Sequence, residues 1–144
     1  MERTLIILKP DCIAQQKVGE ILSRFEAQGF EFIAAKITRL STAQLNEHYA
    51  HVADKPFYPQ LVEFMTERPV MILILEAENA IARVRELMGP TNPEKADKGT
   101  IRGDLGTNTL RNVIHASDSL AGAEAEIARF FSKAEIPALG TVIA

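Results

Sequence analysis

His115 sits between an apolar pair and a hydroxyl-rich cluster, in Asn112-Val113-Ile114-His115-Ala116-Ser117-Asp118-Ser119. An imidazole with an ordinary pKa of ~6.5 is mostly neutral at pH 7, so one ring nitrogen keeps a lone pair that can attack an electrophile. Val113 and Ile114 read as the end of a buried strand, and Asp118 and Ser119 as the cap of a helix beginning near Leu120. This junction sets His115 beside a helix N-terminus, whose free N–H groups and dipole favour an incoming phosphate. The octapeptide also admits a plainer reading, a strand-end histidine satisfying a backbone carbonyl, and the rest of the chain has to decide between them.

Several familiar chemistries are excluded by their missing motifs. Neither a P-loop nor a dinucleotide fingerprint is present, and there is no H-E-x-x-H metal motif. His48 and His51 stand three apart with no third ligand in view, and read as surface histidines. His115, Ser117 and Asp118 lack the strained G-x-S-x-G elbow and lie too close in sequence for a hydrolase triad. What stands out is a set of cations at element ends: Lys9 before Pro10, Arg85 ahead of Gly89-Pro90-Thr91-Asn92-Pro93, and Arg102 in Gly99-Thr100-Ile101-Arg102-Gly103. The flanking glycines would let backbone approach a ligand closely. Each charge alone reads as a solvated surface residue, and Phe57 reads equally well as a core anchor.

The elements that must position these groups follow from periodicity. Thr4 to Lys9 reads as a first core strand stopped by Pro10, and Val18, Ile21, Leu22 and Phe25 as one face of a helix closed by Gly29. Alternation from Phe32 to Leu40 predicts a second strand, and Ser41 to Gln44 a capping box opening a short helix through Tyr49. Leu61, Val62 and Met65 line a helix ended by Pro69, and Val70 to Leu75 is a buried third strand. A helix around Ala80 to Met88 precedes residues 90 to 112, which show little period and read as a long loop, of a kind that is usually functional or disordered. Val113 to Ala116 forms a fourth strand, and Ala123, Ile127, Phe130 and Phe131 mark the last helix; no structure is predicted from Pro137 on. The order predicts an α+β fold over residues 1–144 as one domain: a ferredoxin-like βαββαβ sandwich. Its four-stranded antiparallel sheet carries helices on its faces and a long loop insertion before the last strand.

Composition sets outer limits. A chain of 144 residues, 47% hydrophobic and 24% charged, suits one globular domain. The net charge of -3 offers no field for nucleic acid, so a phosphate ligand must be held by local cations. One cysteine, Cys12, excludes an intrachain disulfide, and no apolar run approaches the ~20 residues of a spanning helix. A cytoplasmic protein with no membrane or specific nucleic-acid partner is expected.

Five segments together carry a resemblance. Lys9-Pro10-Asp11, Lys55-Pro56-Phe57, Gly89-Pro90-Thr91-Asn92-Pro93, Gly99-Thr100-Ile101-Arg102-Gly103 and Asn112 to Ser119 resemble the motifs of nucleoside diphosphate kinases, in that family's order and from about Arg3 to Ile136. The resemblance implies transfer of a γ-phosphoryl group from a nucleoside triphosphate to a nucleoside diphosphate, by a ping-pong route through a phosphohistidine at His115, with broad base specificity. It implies that Lys9, Arg85, Thr91, Arg102 and Asn112 contact the nucleotide, that the base stacks on Phe57, and that Tyr49 lies near the phosphohistidine. Ser117 and Glu126 would orient the imidazole. Mg2+ would come on the nucleotide rather than in a protein cage, so no protein metal ligand is expected. A homo-oligomer, a tetramer or hexamer built from dimers, is implied as well. Ala116 stands where the family often has glycine, Cys12 where it has glycine or alanine, and Arg68 where glycine often precedes the proline; none is a matched ligand. Against this stand a non-catalytic nucleotide- or nucleic-acid-binding module, which the net acidity disfavours, and a phosphohistidine carrier, which would not need every nucleotide contact.

Overall fold

A computed structural model describes residues 1–138. Strand β1 (Glu2–Leu8) runs antiparallel to both β3 (Val70–Ala77) and β4 (Ile114–Ala116), and β2 (Glu31–Thr38) pairs on the far side of β3. The resulting order, β2-β3-β1-β4, is that of the ferredoxin-like sandwich. Alternation along the central strands separates two cores. Ile6, Leu8, Leu73 and Leu75 face one side, where they pack with Ile21 and Phe25 of α2 (Val18–Ala27) and Val84 and Met88 of α5 (Ala80–Met88). Leu5, Ile7, Ile72 and Ile74 face the other. There they meet Leu45 of α3 (Thr42–His48), Leu61 and Met65 of α4 (Tyr58–Thr66) and Phe130 of α7 (Leu120–Phe130). Among the described residues no helix is long and apolar enough to cross a membrane.

Three local expectations change. A short α1 (Pro10–Ala14), missed by periodicity, follows β1 with proline at its first position. The segment from 90 to 112 is not a plain loop: it holds a 3₁₀ turn, Pro93–Lys95, and α6 (Ile101–Leu105) capped by the Thr100 hydroxyl. Val113 is not a strand residue. Its φ of 65° and the 2.9 Å bond from Ile114 N–H to Asn112 O make it the centre of a γ-turn, a conformation that strains a β-branched side chain. The turn is held from both sides: Lys9 N–H donates to Val113 O at 2.9 Å and Val113 N–H to Asp11 Oδ2 at 3.1 Å.

Candidate active site

The γ-turn releases the chain into β4, where Ile114 and Ala116 enter the first core and His115, of opposite parity, faces the other side of the sheet. There it meets α3 and α7. His115 Nε2 lies 3.0 Å from Glu126 Oε2, and the Ser117 hydroxyl donates to Glu126 Oε1 at 2.6 Å. Ser117 is fully buried, and its oxygen also accepts from Leu5 N–H at 3.1 Å. Burial alone would raise the Glu126 pKa, but the hydrogen bonds and charge of His115, with Ser117's help, hold it below the usual carboxylate range. An ionised Glu126 can only accept, so Nε2 carries a proton, and in the neutral ring Nδ1 carries the lone pair. Among the described residues Nδ1 has no hydrogen-bond partner.

His115 lines a cavity of about 610 Å³ together with Lys9, Tyr49, Phe57, Arg85, Thr91, Arg102, Asn112 and Glu126. Nine of the ten site residues expected from sequence therefore meet in one pocket, and the tenth, Ser117, is buried behind Glu126. Lys9 is almost fully buried, and burial, with the charge of Arg102, brings its pKa down to about 8 despite the opposing pull of Asp11. Its Nζ donates to Asn112 Oδ1 at 2.8 Å. Asn112 in turn donates to Thr91 O and Thr109 O, at 3.0 and 3.2 Å, so its amide ties the lysine to the flanking loops. Arg102 donates to Ile114 O at 2.6 Å and Gly89 O at 3.2 Å; burial and the neighbouring Arg85 bring its pKa down to about 10. Burial first, then the nearby Glu126, pushes the Tyr49 hydroxyl pKa well up. Phe57 stands half exposed at the rim, not in the core, near Val52, Leu61 and Leu110.

The glycine beside Arg102 serves the fold rather than a ligand. A side chain at Gly103 would collide with the Asp97 backbone carbonyl, so Gly103 lets α6 close on its own loop. Three cations, Lys9, Arg85 and Arg102, face two lining carboxylates, Asp118 and Glu126, the second already engaged. The pocket is therefore locally cationic in a chain of net charge -3.

The surface reading of His48 is wrong. His48 is buried, lines the pocket, and packs its ring edge-on to His115 with centroids 4.6 Å apart. Its position at the end of a short helix gave no sign of burial, which comes from α7 crossing over it. Asp11, which anchors the Val113 turn, was likewise visible in sequence only as part of a motif.

A cationic pocket with an oriented imidazole suits an anionic ligand such as a phosphate group. The nucleoside diphosphate kinase family model matches residues 2–136. A nucleoside diphosphate kinase of Coxiella burnetii is 51% identical over 136 residues, covering 94% of this chain and 98% of the relative. That of Nitrosomonas eutropha is 49% identical, with 94% and 96% covered. Among solved structures, the Aquifex aeolicus nucleoside diphosphate kinase superposes with a TM-score of 0.89 at 45% identity, covering 94% of this chain and 99% of that one. The Halobacterium salinarum enzyme, in complex with CDP, gives 0.93 at 39% identity over 96% and 93%. The chain belongs to the nucleoside diphosphate kinase family, enzymes that transfer phosphoryl groups between nucleotides.

Proposed function

We propose that the protein moves the γ-phosphoryl group of a nucleoside triphosphate to a nucleoside diphosphate in two steps, through a phosphohistidine at His115 Nδ1. The observation that carries this reading is the Glu126 carboxylate on Nε2, which leaves Nδ1 as the free nitrogen of a histidine that lines a cationic pocket. In the first step the Nδ1 lone pair forms an N–P bond as the bond from phosphorus to the β,γ-bridging oxygen breaks, and the diphosphate leaves. Charge that develops on the ring is held by Glu126 through Nε2–H. In the second step a terminal oxygen of an incoming diphosphate attacks phosphorus and the N–P bond breaks, restoring the neutral imidazole. Lys9, Arg102 and Arg85 hold the phosphate oxygens, and Tyr49, which lines the same pocket and packs on His48, confines the group in transfer.

The donor set suits a divalent ion that arrives on the nucleotide: of the two lining carboxylates only Asp118 is not engaged by His115, too few for a protein cage. Mg2+ carried in on the nucleotide would neutralise phosphate charge, with Asp118 the residue able to hold its water shell. Phe57, Val52, Leu61 and Leu110 offer an apolar slot for the face of a base, a contact open to every base because all have a π-face. The same reading includes a homo-oligomer built from dimers, tetramer or hexamer, supported by the edge position of β2 and by Ile37, 71% exposed. A reducing cytoplasm is its setting: the lone Cys12 is buried and burial pushes its thiol pKa up to about 12. Incubation with ATP and GDP, followed by an assay for GTP, tests the proposal; binding of both without GTP formation would leave only a nucleotide-binding module.

A further inference from the structure

Glu126 and Arg129 stand three positions apart on α7, a spacing at which a carboxylate and a guanidinium ordinarily pair. Among the described residues no ion pair joins them. Arg129 Nη1 instead reaches His48 Nδ1 at 3.0 Å, and Arg129 Nε lies 3.3 Å from Glu47 Oε1. Both partners, a hydrogen-bond acceptor in His48 and an ion-pair carboxylate in Glu47, come from the last turn of α3, which crosses α7 at this point. A guanidinium can only donate, so His48 is the neutral tautomer with its lone pair on Nδ1 and its proton on Nε2. His48 Nδ1 itself is 3.7 Å from Glu126 Oε2, the oxygen that binds His115. His48 thus lies between a cation and the carboxylate that the cation would otherwise take.

We propose that His48 is a positioning residue that occupies Arg129 and so reserves Glu126 for His115. The titratable and charged groups around it are His115, Glu126, Arg129, His51 and Tyr49, with Glu47 reaching Arg129 rather than the ring. Burial above all, with the nearby His115 and Arg129 adding to it and Glu126 opposing, brings the His48 pKa down to about 3. The ring stays neutral and keeps its lone pair on the guanidinium throughout the working range. His48, His115 and Glu126 also place ligand atoms within 4.8 Å of one another, but a guanidinium already on the His48 lone pair makes the trio unsuited to a metal ion.

The inference rests on the reading that Glu126 orients His115, and its test separates the two. His48→Leu keeps bulk but removes the acceptor, His48→Asn keeps an acceptor through Oδ1, and Arg129→Met removes the competitor. The ¹⁵N shifts of His115 report its tautomer without turnover, and steady-state kinetics supply kcat and KM. In the wild type the proton should sit on Nε2. His48→Leu should mix the tautomers and lower kcat at least tenfold, with KM within threefold. Arg129→Met, His48→Asn and the double variant His48→Leu/Arg129→Met should each keep the wild-type tautomer, with kcat within a few-fold of wild type. A double variant as impaired as His48→Leu alone would make His48 mere packing. Arg129→Met with a disturbed tautomer would overturn the proposal even if His48→Leu failed to fold. If the tautomers behaved as expected but no variant changed kcat, His48 would still position the ring and the phosphohistidine reading would be the one that failed.

Discussion

Glu126→Gln separates orientation of the nucleophile from binding of the substrate. The amide is nearly isosteric: its oxygen can accept from His115 Nε2–H at 3.0 Å and its NH₂ can face the Ser117 oxygen. What is lost is charge. A hydrogen bond to an ionised partner contributes about 1.5–3 kcal/mol and a neutral one about 0.5–1.5. The ground-state difference of about 1–1.5 kcal/mol corresponds to roughly 5- to 13-fold. The transition state asks more, because N–P bond formation places positive charge on a ring in contact with that carboxylate. Full unit charges about 4 Å apart interact by about 4 kcal/mol at an effective dielectric of 20. Since only part of that charge has developed, kcat should fall roughly 10- to 100-fold, with KM within threefold because Glu126 touches no phosphate. Steady-state kinetics with ATP varied at saturating diphosphate would check this. A raised KM with kcat intact would make Glu126 a substrate contact, and unchanged kinetics would refute its action on His115.

Phe57→Ala should lower kcat/KM by roughly 5- to 150-fold, from stacking of about 1–3 kcal/mol per base. The loss should be similar for all four bases, somewhat larger for purines, with little change in stability because the ring is 51% exposed; kinetics with four triphosphates would check it. The Lys9 pKa of about 8 lies below its ordinary 10.5, so the free protein loses this cation as pH rises through 8. Nucleotide affinity should weaken over that window with proton uptake on binding, while stability of the free protein rises because the buried charge is relieved. Calorimetry in buffers of different ionisation enthalpy measures the uptake, and constant affinity across the window would place Lys9 outside the phosphate site. Light scattering should report an oligomer at micromolar concentration; a fully active monomer would contradict the proposed assembly.

Where local pattern and tertiary packing agree, the chain announces its own structure. The apolar run of β3 and the Ser41 capping box appear as expected, with Gln44 N–H donating to Ser41 Oγ at 3.1 Å. Strand β2 forms too, but a register shift between Phe32 and Ala34 breaks its alternation, so Ile33 is buried while Ala35 and Ile37 turn outward. The hydroxyl of Ser119 caps α7, so the expected junction of strand and helix beside His115 is present. Failures fall where distant contacts override local preference. Val113 has a strand former's side chain, but Lys9 and Asp11 hold it in a γ-turn no propensity foretells. His48 ends a short helix in a polar stretch, and only the crossing of α7 buries it. The pairing of Ser117 with Glu126 came from family resemblance, since no periodicity links a strand-end serine to one turn of the next helix.

The central claim is a covalent phosphoryl group on His115 Nδ1. Incubation of the purified protein with γ-labelled ATP and Mg2+, without acceptor, should give a label that is stable in base and lost in acid, as a phosphoramidate requires. The label should leave as labelled GTP when GDP is added, and His115→Ala should abolish it while still binding nucleotide. Label that persists in His115→Ala, or maps to Ser117 or Ser119, would contradict the account.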